Sequence, residues 1–326
     1  MPQLIERLSS SEEARRWNVT SLLLTLPLLV MGWYYYGGAA LRLAVIGVLT
    51  AALCEIIFGR LILRTHTLLD LNAIVVGLWV ALMLPADLSP WFAVLGTAFA
   101  ILVVKIPFGG TLHSPFVPAA AGFAFLTVCF PEPVFTYAPP TAWVPVHSSA
   151  LTALLQTGQS IFRPTVISSI LLGETVGPLG TGCILAIAAA AAAMVILKPR
   201  RAGMLSTLGF VLAVAGISLL FPRVPGNRLG AMGMELCAGS LLFAAVYLLP
   251  DPATLPRGLL AKFLYGLMAG GLCMLLRRLG SYQDNTCFAI LLANGALPLL
   301  RRGWNEKENW MNPIKTKMKT KSKKSN

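Results

Sequence analysis

Long apolar stretches separated by short polar segments dominate the chain between residues 18 and 300. Most of them approach the about 17–25 residues that a helix needs to cross a bilayer, although several are near the lower limit. The pattern therefore predicts an all-α polytopic membrane protein with about ten transmembrane helices. The ten stretches are Val19–Tyr36, Ala40–Phe58, Leu68–Leu84, Trp91–Ile106, Pro115–Phe130, Thr181–Leu197, Met204–Phe221, Met232–Leu249, Gly258–Leu276 and Thr286–Leu300.

Two regions among these stretches are broken by glycine and proline. The first break, Phe108–Phe125, carries Gly109 and Gly110 followed by two prolines, and the second break is Gly173–Gly182. A helix cannot pass through such a segment unbroken, so the released backbone groups need partners in protein or in a cavity. Paired breaks in the two halves of a membrane chain indicate a binding site near the bilayer midplane. The alternative is a pair of kinked or re-entrant helices that only fill space.

Composition agrees with a membrane protein. The chain is 56% hydrophobic and 12% charged, with a mean hydropathy of +0.73, whereas soluble domains carry about 25% charged residues. The net charge is +13, but nine of the 26 basic residues follow Leu300. This distribution predicts a solvated basic tail, residues 301–326, that touches anionic lipid headgroups, and it argues against nucleic acid as a partner.

The basic residues also predict an orientation. With ten alternating crossings, 20 of them fall on the side of the two termini and six on the other. Such an excess marks the cytoplasmic side, so we expect both termini, including the segment 1–17, in the cytoplasm of a cell with this protein in its plasma membrane. The long connection, residues 131–164, is then external.

Asp70 and Glu55 are carboxylates that stand within or at the ends of apolar stretches. A charge in hydrocarbon costs about 2.5–3.5 kcal/mol on insertion scales unless it faces a cavity or a partner. Both residues are candidate cation or proton ligands. The alternative is that they lie at span ends and reach the interface.

Small residues indicate where helices approach each other closely. These are the alanine run Ala188–Ala193 and the glycines Gly266, Gly270 and Gly271. The six cysteines stand singly, mostly within apolar runs, and have no histidine at ligand spacing. We therefore expect buried apolar side chains at these positions and no metal site.

Several segments, taken in order, resemble one family. Asp70–Phe130 contains DLNAIVVGLWVALMLP, PWFAVLGTAFAILVVKIPFGG and PFVPAAAGFAFLTVCFP; LLGETVGPLGTGC, LLFAAVYLLPDPATLPRG and YGLMAGGLCMLLRRLGSYQDNTCFAILLANGALPLL follow. They are similar to the membrane flavoprotein subunit shared by the Rnf electron-transport complex, as its D subunit, and the sodium-pumping NADH:quinone reductase, as its B subunit. The resemblance covers roughly residues 20–300.

The resemblance implies a fold of ten helices in two pseudo-symmetric halves. It also implies a subunit that carries flavin and passes electrons within a complex that couples redox chemistry to Na⁺ or H⁺ movement. The other subunits of such a complex are then its partners. The residues expected to line a flavin or ion cavity are those of the two breaks: Gly109, Gly110, Ser114, Gly173, Gly177, Gly180 and Thr181.

The sequence departs from the family at the flavin attachment. In the family, a Ser/Thr-Gly/Ser-Ala-Thr motif holds FMN through a phosphoester on its last Thr. The corresponding run here is Ser148-Ser149-Ala150-Leu151, with Thr152 one place further on. Leucine has no oxygen to esterify, so the expected cofactor is FMN or riboflavin held non-covalently, where flavin is bound at all.

Other polar positions of the family are also changed. Its two asparagines in the first break align with Ser114 and Val117, one glycine aligns with Leu112, and Thr181 stands where the family has Glu. The family's Asp-Gly-Ser-Ala becomes residues 70–73, Asp-Leu-Asn-Ala, which keeps the acid.

Because the charged group is kept while its neighbours change, Asp70 is predicted to couple ion movement. An interfacial ion pair with Arg64 is the alternative.

Two other functions fit the same scaffold. Paired broken helices that point their dipole ends at a midplane site also suit a small-solute transporter or channel. A subunit that only holds redox partners together is the third possibility. Flavin absorbance separates the transporter from the electron carrier.

Overall fold

The computed structural model describes residues 2–63, 71–140, 149–159, 167–196, 203–225, 227–256 and 258–311. Within these ranges every regular element is a helix. The α-helices are α1 (Pro2–Tyr36), α2 (Gly38–Cys54), α3 (Asn72–Met83), α4 (Pro90–Phe99), α5 (Pro118–Cys129), α6 (Pro131–Phe135), α7 (Leu151–Gln156), α8 (Ile167–Leu172), α9 (Ile184–Ile196), α10 (Met204–Leu220), α11 (Arg228–Cys237), α12 (Leu241–Phe243), α13 (Leu259–Leu279) and α14 (Thr286–Met311).

Three of these helices continue as π-helical turns. Glu55–Leu63 extends α2, Ala100–Lys105 extends α4, and Ala244–Leu248 extends α12. Wider π turns rotate the residues that follow them relative to an α-helix and occur often at functional sites. Two of the three segments begin or end at a charged residue, Glu55 and Lys105.

Each of the ten apolar stretches corresponds to one apolar helix or, in one case, to a bent pair of helices. Three helical segments are long and apolar enough to cross a membrane: Ala14–Tyr36, Gly38–Gly59 and Leu259–Leu279. Six shorter apolar helices and one pair, α11 and α12 with its π turns, account for the other seven stretches. The prediction of an all-helical, polytopic membrane protein is thus confirmed for the described residues, whereas the count of ten crossings stays a prediction.

Helix α3 lies at the centre of the first half. Eleven of its twelve residues are buried, as expected for a helix that is apolar on every side. Glycines bring its neighbours close, because a Cβ on Gly77 would lie 2.5 Å from the carbonyl oxygen of Gly47 in α2. Gly122 of α5 meets Gly96 of α4 in the same way, again at 2.5 Å. Backbone contact of this kind is typical of helices that associate within lipid.

The second half is organised around α10 and α13. Gly266 and Gly270 of α13 contact the backbone of α10, as the sequence predicts. The same prediction is wrong for Gly271, which faces open space, since a Cβ added there would have no atom within 4 Å. The reason is helical geometry, because neighbouring residues point about 100° apart and only one of them can face α10. In the alanine run, Ala190 is buried while Ala188 and Ala189 are exposed.

Contacts between aromatic residues join the two halves. The Trp79 ring of α3 lies 5.9 Å from the Tyr247 ring, which lies 5.0 Å from that of Phe243. The Tyr247 hydroxyl donates to the carbonyl of Leu24 in α1 at 2.8 Å. Helix α14 also packs against α5 of the first half. One core therefore runs through both halves.

Candidate functional site

A buried ion pair lies in the first half, on the π turns of two helices. Lys105 Nζ is 2.7 Å from Glu55 Oε2, and each side chain is 1% exposed. Charges removed this far from water persist only when they are paired and hydrogen-bonded. The structure thus assigns Glu55 a partner. It also places Lys105 in the interior of the helix bundle, although this lysine is one of the 20 basic residues that fall on the side of the two termini.

The first break follows this ion pair directly. Gly109 and Gly110 have φ of 97° and 94°, a conformation that favours glycine, and their amides donate to the carbonyls of Ile106 and Lys105 at 3.1 Å. The buried Ser114 hydroxyl lies 2.6 Å from the Phe116 carbonyl oxygen. Backbone groups and the Ser114 hydroxyl therefore close the turn between α4 and α5.

The second break contacts the C-terminal end of α3 in the first half. The amides of Leu179 and Gly180 donate to the carbonyls of Leu84 and Leu82 at 3.0 and 2.8 Å. Gly180 packs on Leu82, where a Cβ would lie 2.7 Å from the leucine side chain. The second break therefore supplies hydrogen-bond donors to carbonyl groups at the end of α3. Glycine is needed at position 180 because no larger residue fits against Leu82.

Two tyrosines of α1 hold the same break. Tyr35 and Tyr36 donate to the carbonyls of Leu172 and Gly177 at 2.9 and 3.3 Å. Thr181 is also buried there. At Gly173, with φ of 94°, a Cβ would lie 2.9 Å from backbone atoms of the chain at positions 182 and 183, so this glycine too is required by close backbone approach.

The two breaks lie far apart. The second contacts the end of α3, next to where α4 begins, whereas the first follows the far end of α4 and its π turns. The segment Pro90–Lys105 is about 24 Å long at 1.5 Å per residue. The described structure therefore does not bring the glycines of the two breaks into one cavity.

A cluster of charges clamps the sharp bend between α11 and α12, whose axes differ by 67°. Arg277 donates through Nη1 to the Glu235 carbonyl oxygen at 3.0 Å and carboxylate at 3.1 Å, and through Nη2 to the Ala238 carbonyl oxygen at 2.9 Å. Asp284 Oδ2 accepts from the Ser240 amide at 2.6 Å. The cation of Arg277 thus lies at the C-terminus of α11, and the anion of Asp284 lies at the N-terminus of α12. Each charge is opposite in sign to the partial charge of the helix end that it contacts.

Two further contacts complete this cluster. Arg223 Nε lies 3.3 Å from Glu235 Oε1, and Arg277 Nη2 lies 3.8 Å from Asp284 Oδ1. Burial lowers the pKa of Arg223 despite the nearby Glu235. Burial alone would raise the pKa of Asp284, but Arg277 and the hydrogen bonds from Ser240 and Thr286 together hold it below its ordinary value. The lowered pKa of Asp284 favours its charged form.

The family's flavin-attachment segment packs on this bend. Leu151 and Thr152 begin α7 and are buried. The Thr152 hydroxyl donates to Gln283 Oε1 at 3.4 Å, and its methyl group faces Gly239, where a Cβ would lie 2.8 Å away. Gly239 itself has φ of 66°. Thr152, the residue directly after Leu151, is thus buried between α7 and the bend from α11 to α12.

Asp70 and Arg64 lie outside the described residues, but the start of α3 beside them is described. Leu71 has φ of 54°, which is strained for a residue with a side chain. Asn72 Nδ2 donates to Asn18 Oδ1 of α1 at 3.3 Å, with both residues buried. Leu71 stands where the resemblance has glycine, so the backbone keeps a conformation that suits glycine although the residue has changed.

The second break leaves little room for a flavin. A cavity lined by α1 and this break, including Gly173 and Gly180, has a volume of about 10 Å³, which is room for one water molecule. Sites for cofactor-sized ligands are about 300–1,000 Å³. Among the described residues, the cavity at the second break is therefore far smaller than a site for a cofactor-sized ligand.

These features define a class: a polytopic helical membrane protein with broken helices and charges buried in its interior. Residues 7–309 match the family described as NQR2, RnfD, RnfE, so the chain belongs to this family. The match spans most of the chain and confirms the family that the sequence motifs predict.

Three curated relatives are named as the D subunit of an ion-translocating oxidoreductase complex. The protein of Cronobacter sakazakii is 28% identical over 345 residues, covering 91% of this chain and 97% of the relative. That of Colwellia psychrerythraea is 28% identical over 312 residues, covering 85% and 88%. That of Klebsiella pneumoniae is 29% identical over 342 residues, covering 91% and 97%. The chain is thus similar to these proteins along almost their whole length.

Proposed function

We propose that this chain is a membrane subunit of an Rnf-like ion-translocating electron-transport complex, in which redox chemistry drives the movement of Na⁺ or H⁺. The observation that carries the proposal is the similarity, over nearly the full length, to proteins named as D subunits of ion-translocating oxidoreductase complexes. Its partners are then the other subunits of that complex and the surrounding bilayer.

Buried charges support an ion-handling role. Glu55, Lys105, Glu235 and Arg277 are all at most 5% exposed, yet each has a charged partner. Ionisable groups within membrane proteins are costly and commonly mark ion pathways. The proposal includes Asp70 as the carboxylate that couples ion movement, because it is the acid that the resemblance retains.

The direct test is ion transport by the assembled complex. The complex containing this chain is purified with its natural partners, reconstituted in vesicles and supplied with a reduced donor. We expect Na⁺ uptake or internal acidification that stops when the electron acceptor is withheld. In an Asp70→Asn complex that assembles at wild-type levels, transport should be lost. Electron transfer without any ion movement would contradict the proposal.

We further propose that flavin in this protein is FMN or riboflavin bound without a covalent bond. The support is Leu151 at the attachment position and the enclosed Thr152 hydroxyl beside it. A flavin would supply one-electron and two-electron transfer. The visible spectrum of the purified protein, taken before and after acid precipitation, tests this. Flavin absorbance should move to the supernatant, and absorbance that stays in the pellet would contradict the proposal.

The topology that we propose has ten crossings, both termini in the cytoplasm and residues 131–164 outside. Its support is the match of ten apolar stretches to ten apolar helical segments, together with the 20-to-six distribution of basic residues. A single cysteine introduced as Pro145→Cys in a cysteine-free background should react with an impermeant thiol reagent added to intact cells. Labelling only after lysis would refute this orientation.

The positions of the buried charges support the two pseudo-repeated halves that we propose. In the first half, Glu55 follows α2 and Lys105 ends the extension of α4, the second and fourth of five spans. In the second half, Arg223 follows α10 and Arg277 lies in the last turn of α13, which again are the second and fourth of five. With ten crossings, the two sets of charges lie at opposite faces of the membrane, as an inverted repeat requires.

A further inference from the structure

A small cavity lies between α1 and the second break. Its volume is about 10 Å³, which admits one water molecule or one ion of similar size. Its wall includes Tyr35, Tyr36 and Thr175 together with Gly173 and Gly182 of the break. The cavity therefore admits a single small species, and three residues that carry hydroxyl groups lie in its wall.

The two tyrosine hydroxyls already donate their protons within the break. Tyr35 donates to the Leu172 carbonyl at 2.9 Å, and Tyr36 donates to the Gly177 carbonyl at 3.3 Å. A hydroxyl has one proton and two lone pairs, so each tyrosine can offer only lone pairs to a further contact. Lone pairs attract a cation or a hydrogen-bond donor and repel an anion. The two tyrosines therefore disfavour an anionic ligand.

The break adds a backbone oxygen to the same wall. Gly173 follows the last residue of α8 and has φ of 94°, so the helix ends there. Its carbonyl oxygen lies 3.6 Å from the position that a Cβ of Gly182 would occupy, and both glycines line the cavity. In membrane transport proteins, unwound backbone carbonyls of broken helices coordinate Na⁺. The second break brings a carbonyl of this kind to the cavity.

Two acidic residues lie near the cavity. Glu174, which is half-buried within the break, interacts electrostatically with the Tyr35 hydroxyl. Asp87, which is exposed, interacts in the same way with the Tyr36 hydroxyl. Negative charge beside neutral oxygen ligands offsets part of the cost of taking a cation out of water. The two carboxylates thus favour a cation over a neutral ligand in this position.

We propose that this cavity binds one Na⁺ ion, with Glu174 as its counter-charge. The ligands are the hydroxyls of Tyr35, Tyr36 and Thr175 and the carbonyl oxygen of Gly173. Oxygen atoms of this kind are the ligands that hard cations prefer. Ca²⁺ takes about 6–8 oxygen ligands, commonly with several carboxylates among them. One half-buried carboxylate suits a single positive charge better.

This inference rests on the proposed function and makes it more specific, because it names Na⁺ as the ion and a place where the protein holds it. Hydroxyl and carbonyl oxygens do not titrate near neutral pH, so these ligands bind a metal ion and not a proton. In the proposed topology this end of α1 is external. The cavity therefore lies where the ion passes between the protein and the outside.

The test uses the full chain purified in detergent. Its melting temperature is measured while NaCl or KCl replaces choline chloride at constant ionic strength. We expect saturable stabilisation by Na⁺, because a ligand that binds only the folded state stabilises it. The larger K⁺ ion should give little stabilisation beyond that in choline.

Variants locate the site. Thr175→Val keeps the shape of the side chain and removes one oxygen, and Glu174→Gln removes the charge. Each should raise the apparent dissociation constant for Na⁺ by about tenfold or more, since a contact to a charged group is lost. Tyr36→Phe should do the same. Tyr34→Phe is its matched control, because Tyr34 is 56% exposed on the same helix and does not line the cavity.

Several results would overturn this site. Equal melting temperatures in Na⁺ and choline would show that no Na⁺ binds, and stronger stabilisation by K⁺ would assign a different ion. Unchanged Na⁺ affinity in Thr175→Val or in Glu174→Gln, or an equal loss in Tyr34→Phe, would place the ion elsewhere. Ion transport by the reconstituted complex with a chain that does not bind Na⁺ would contradict this site alone. Na⁺ binding by the chain in a complex that moves no ion would contradict the proposed function alone.

Discussion

The Glu55–Lys105 pair allows a quantitative prediction. Replacing Lys105 by methionine keeps most of the length and the apolar stem of the side chain but leaves the Glu55 carboxylate buried without its counter-charge. At the observed separation of 2.7 Å, the attraction between unit charges is about 6 kcal/mol for an effective dielectric constant of about 20. Removing one partner of a buried pair typically costs about 3–5 kcal/mol, because the remaining charge must be neutralised or solvated.

Lys105→Met is therefore expected to lower the free energy of unfolding by about 3–5 kcal/mol. The double variant Glu55→Gln with Lys105→Met should recover much of this loss, since no unpaired charge remains. The surface pair of Arg16 and Glu12 is the control, because its side chains are 76% and 74% exposed at a separation of 3.7 Å. Glu12→Gln should change stability by no more than about 1 kcal/mol.

The assay is reversible denaturation of the purified protein in a mild detergent, followed by tryptophan fluorescence. The wild type, both single variants at positions 55 and 105 and the double variant are compared, and the coupling between the two positions is obtained from the double-mutant cycle. A loss below about 1 kcal/mol for Lys105→Met, comparable to that of an exposed pair, would refute the reasoning. So would a double variant that is less stable than both single variants.

Four further predictions follow from individual positions. Gly270→Ala should destabilise the fold by about 1–3 kcal/mol, because its Cβ would lie 2.6 Å from the Phe210 carbonyl oxygen. Gly271→Ala should be neutral or slightly stabilising when measured by the same denaturation and tryptophan fluorescence. Leu71→Gly should raise stability by about 1 kcal/mol by removing the strain of φ 54°, and a loss in denaturant titration would contradict this. In a denaturing gel the protein should show no flavin fluorescence, and a fluorescent band that disappears in Thr152→Ala would contradict the assignment of Leu151. The pKa of Asp284 is lower in the native protein than that of an ordinary aspartate. Its contribution to stability is therefore complete above the ordinary aspartate pKa and is lost as the pH falls through the lower native value. A plot of melting temperature against pH should accordingly be flatter on its acid side for Asp284→Asn than for the wild type.

Much of the architecture could be predicted from hydropathy because the bilayer imposes one strong requirement, an apolar segment with internally satisfied backbone. The positions of the helices follow from that requirement. Their internal geometry does not, and the eighth stretch, Met232–Leu249, shows why. Its hydropathy predicts one continuous span, yet the helix axis turns by 67° around Gly239. Averaged hydropathy contains no information on the backbone conformation of a single glycine.

The buried charges were harder to predict because their partners are distant in sequence. Lys105 and Arg277 each adjoin polar or glycine-rich segments and therefore resemble residues at the ends of spans. Their partners Glu55 and Glu235 lie 50 and 42 residues earlier in the chain. A periodicity of 3.6 residues reveals which face a residue occupies, but it does not reveal which other helix supplies the opposite charge.

The order of the charges along the chain has a consequence for biogenesis. In the first half the acid, Glu55, is synthesised first and its partner Lys105 follows 50 residues later, whereas Glu235 of the second half is preceded by one of its partners, Arg223. At about 5–20 residues per second, the delay in the first half lasts about 3–10 s. During that interval α2 has no counter-charge from α4, and a carboxylate buried without a partner is costly. The packing of α2 in the first half is therefore complete only once α4 and its π turns have been synthesised and have contacted it.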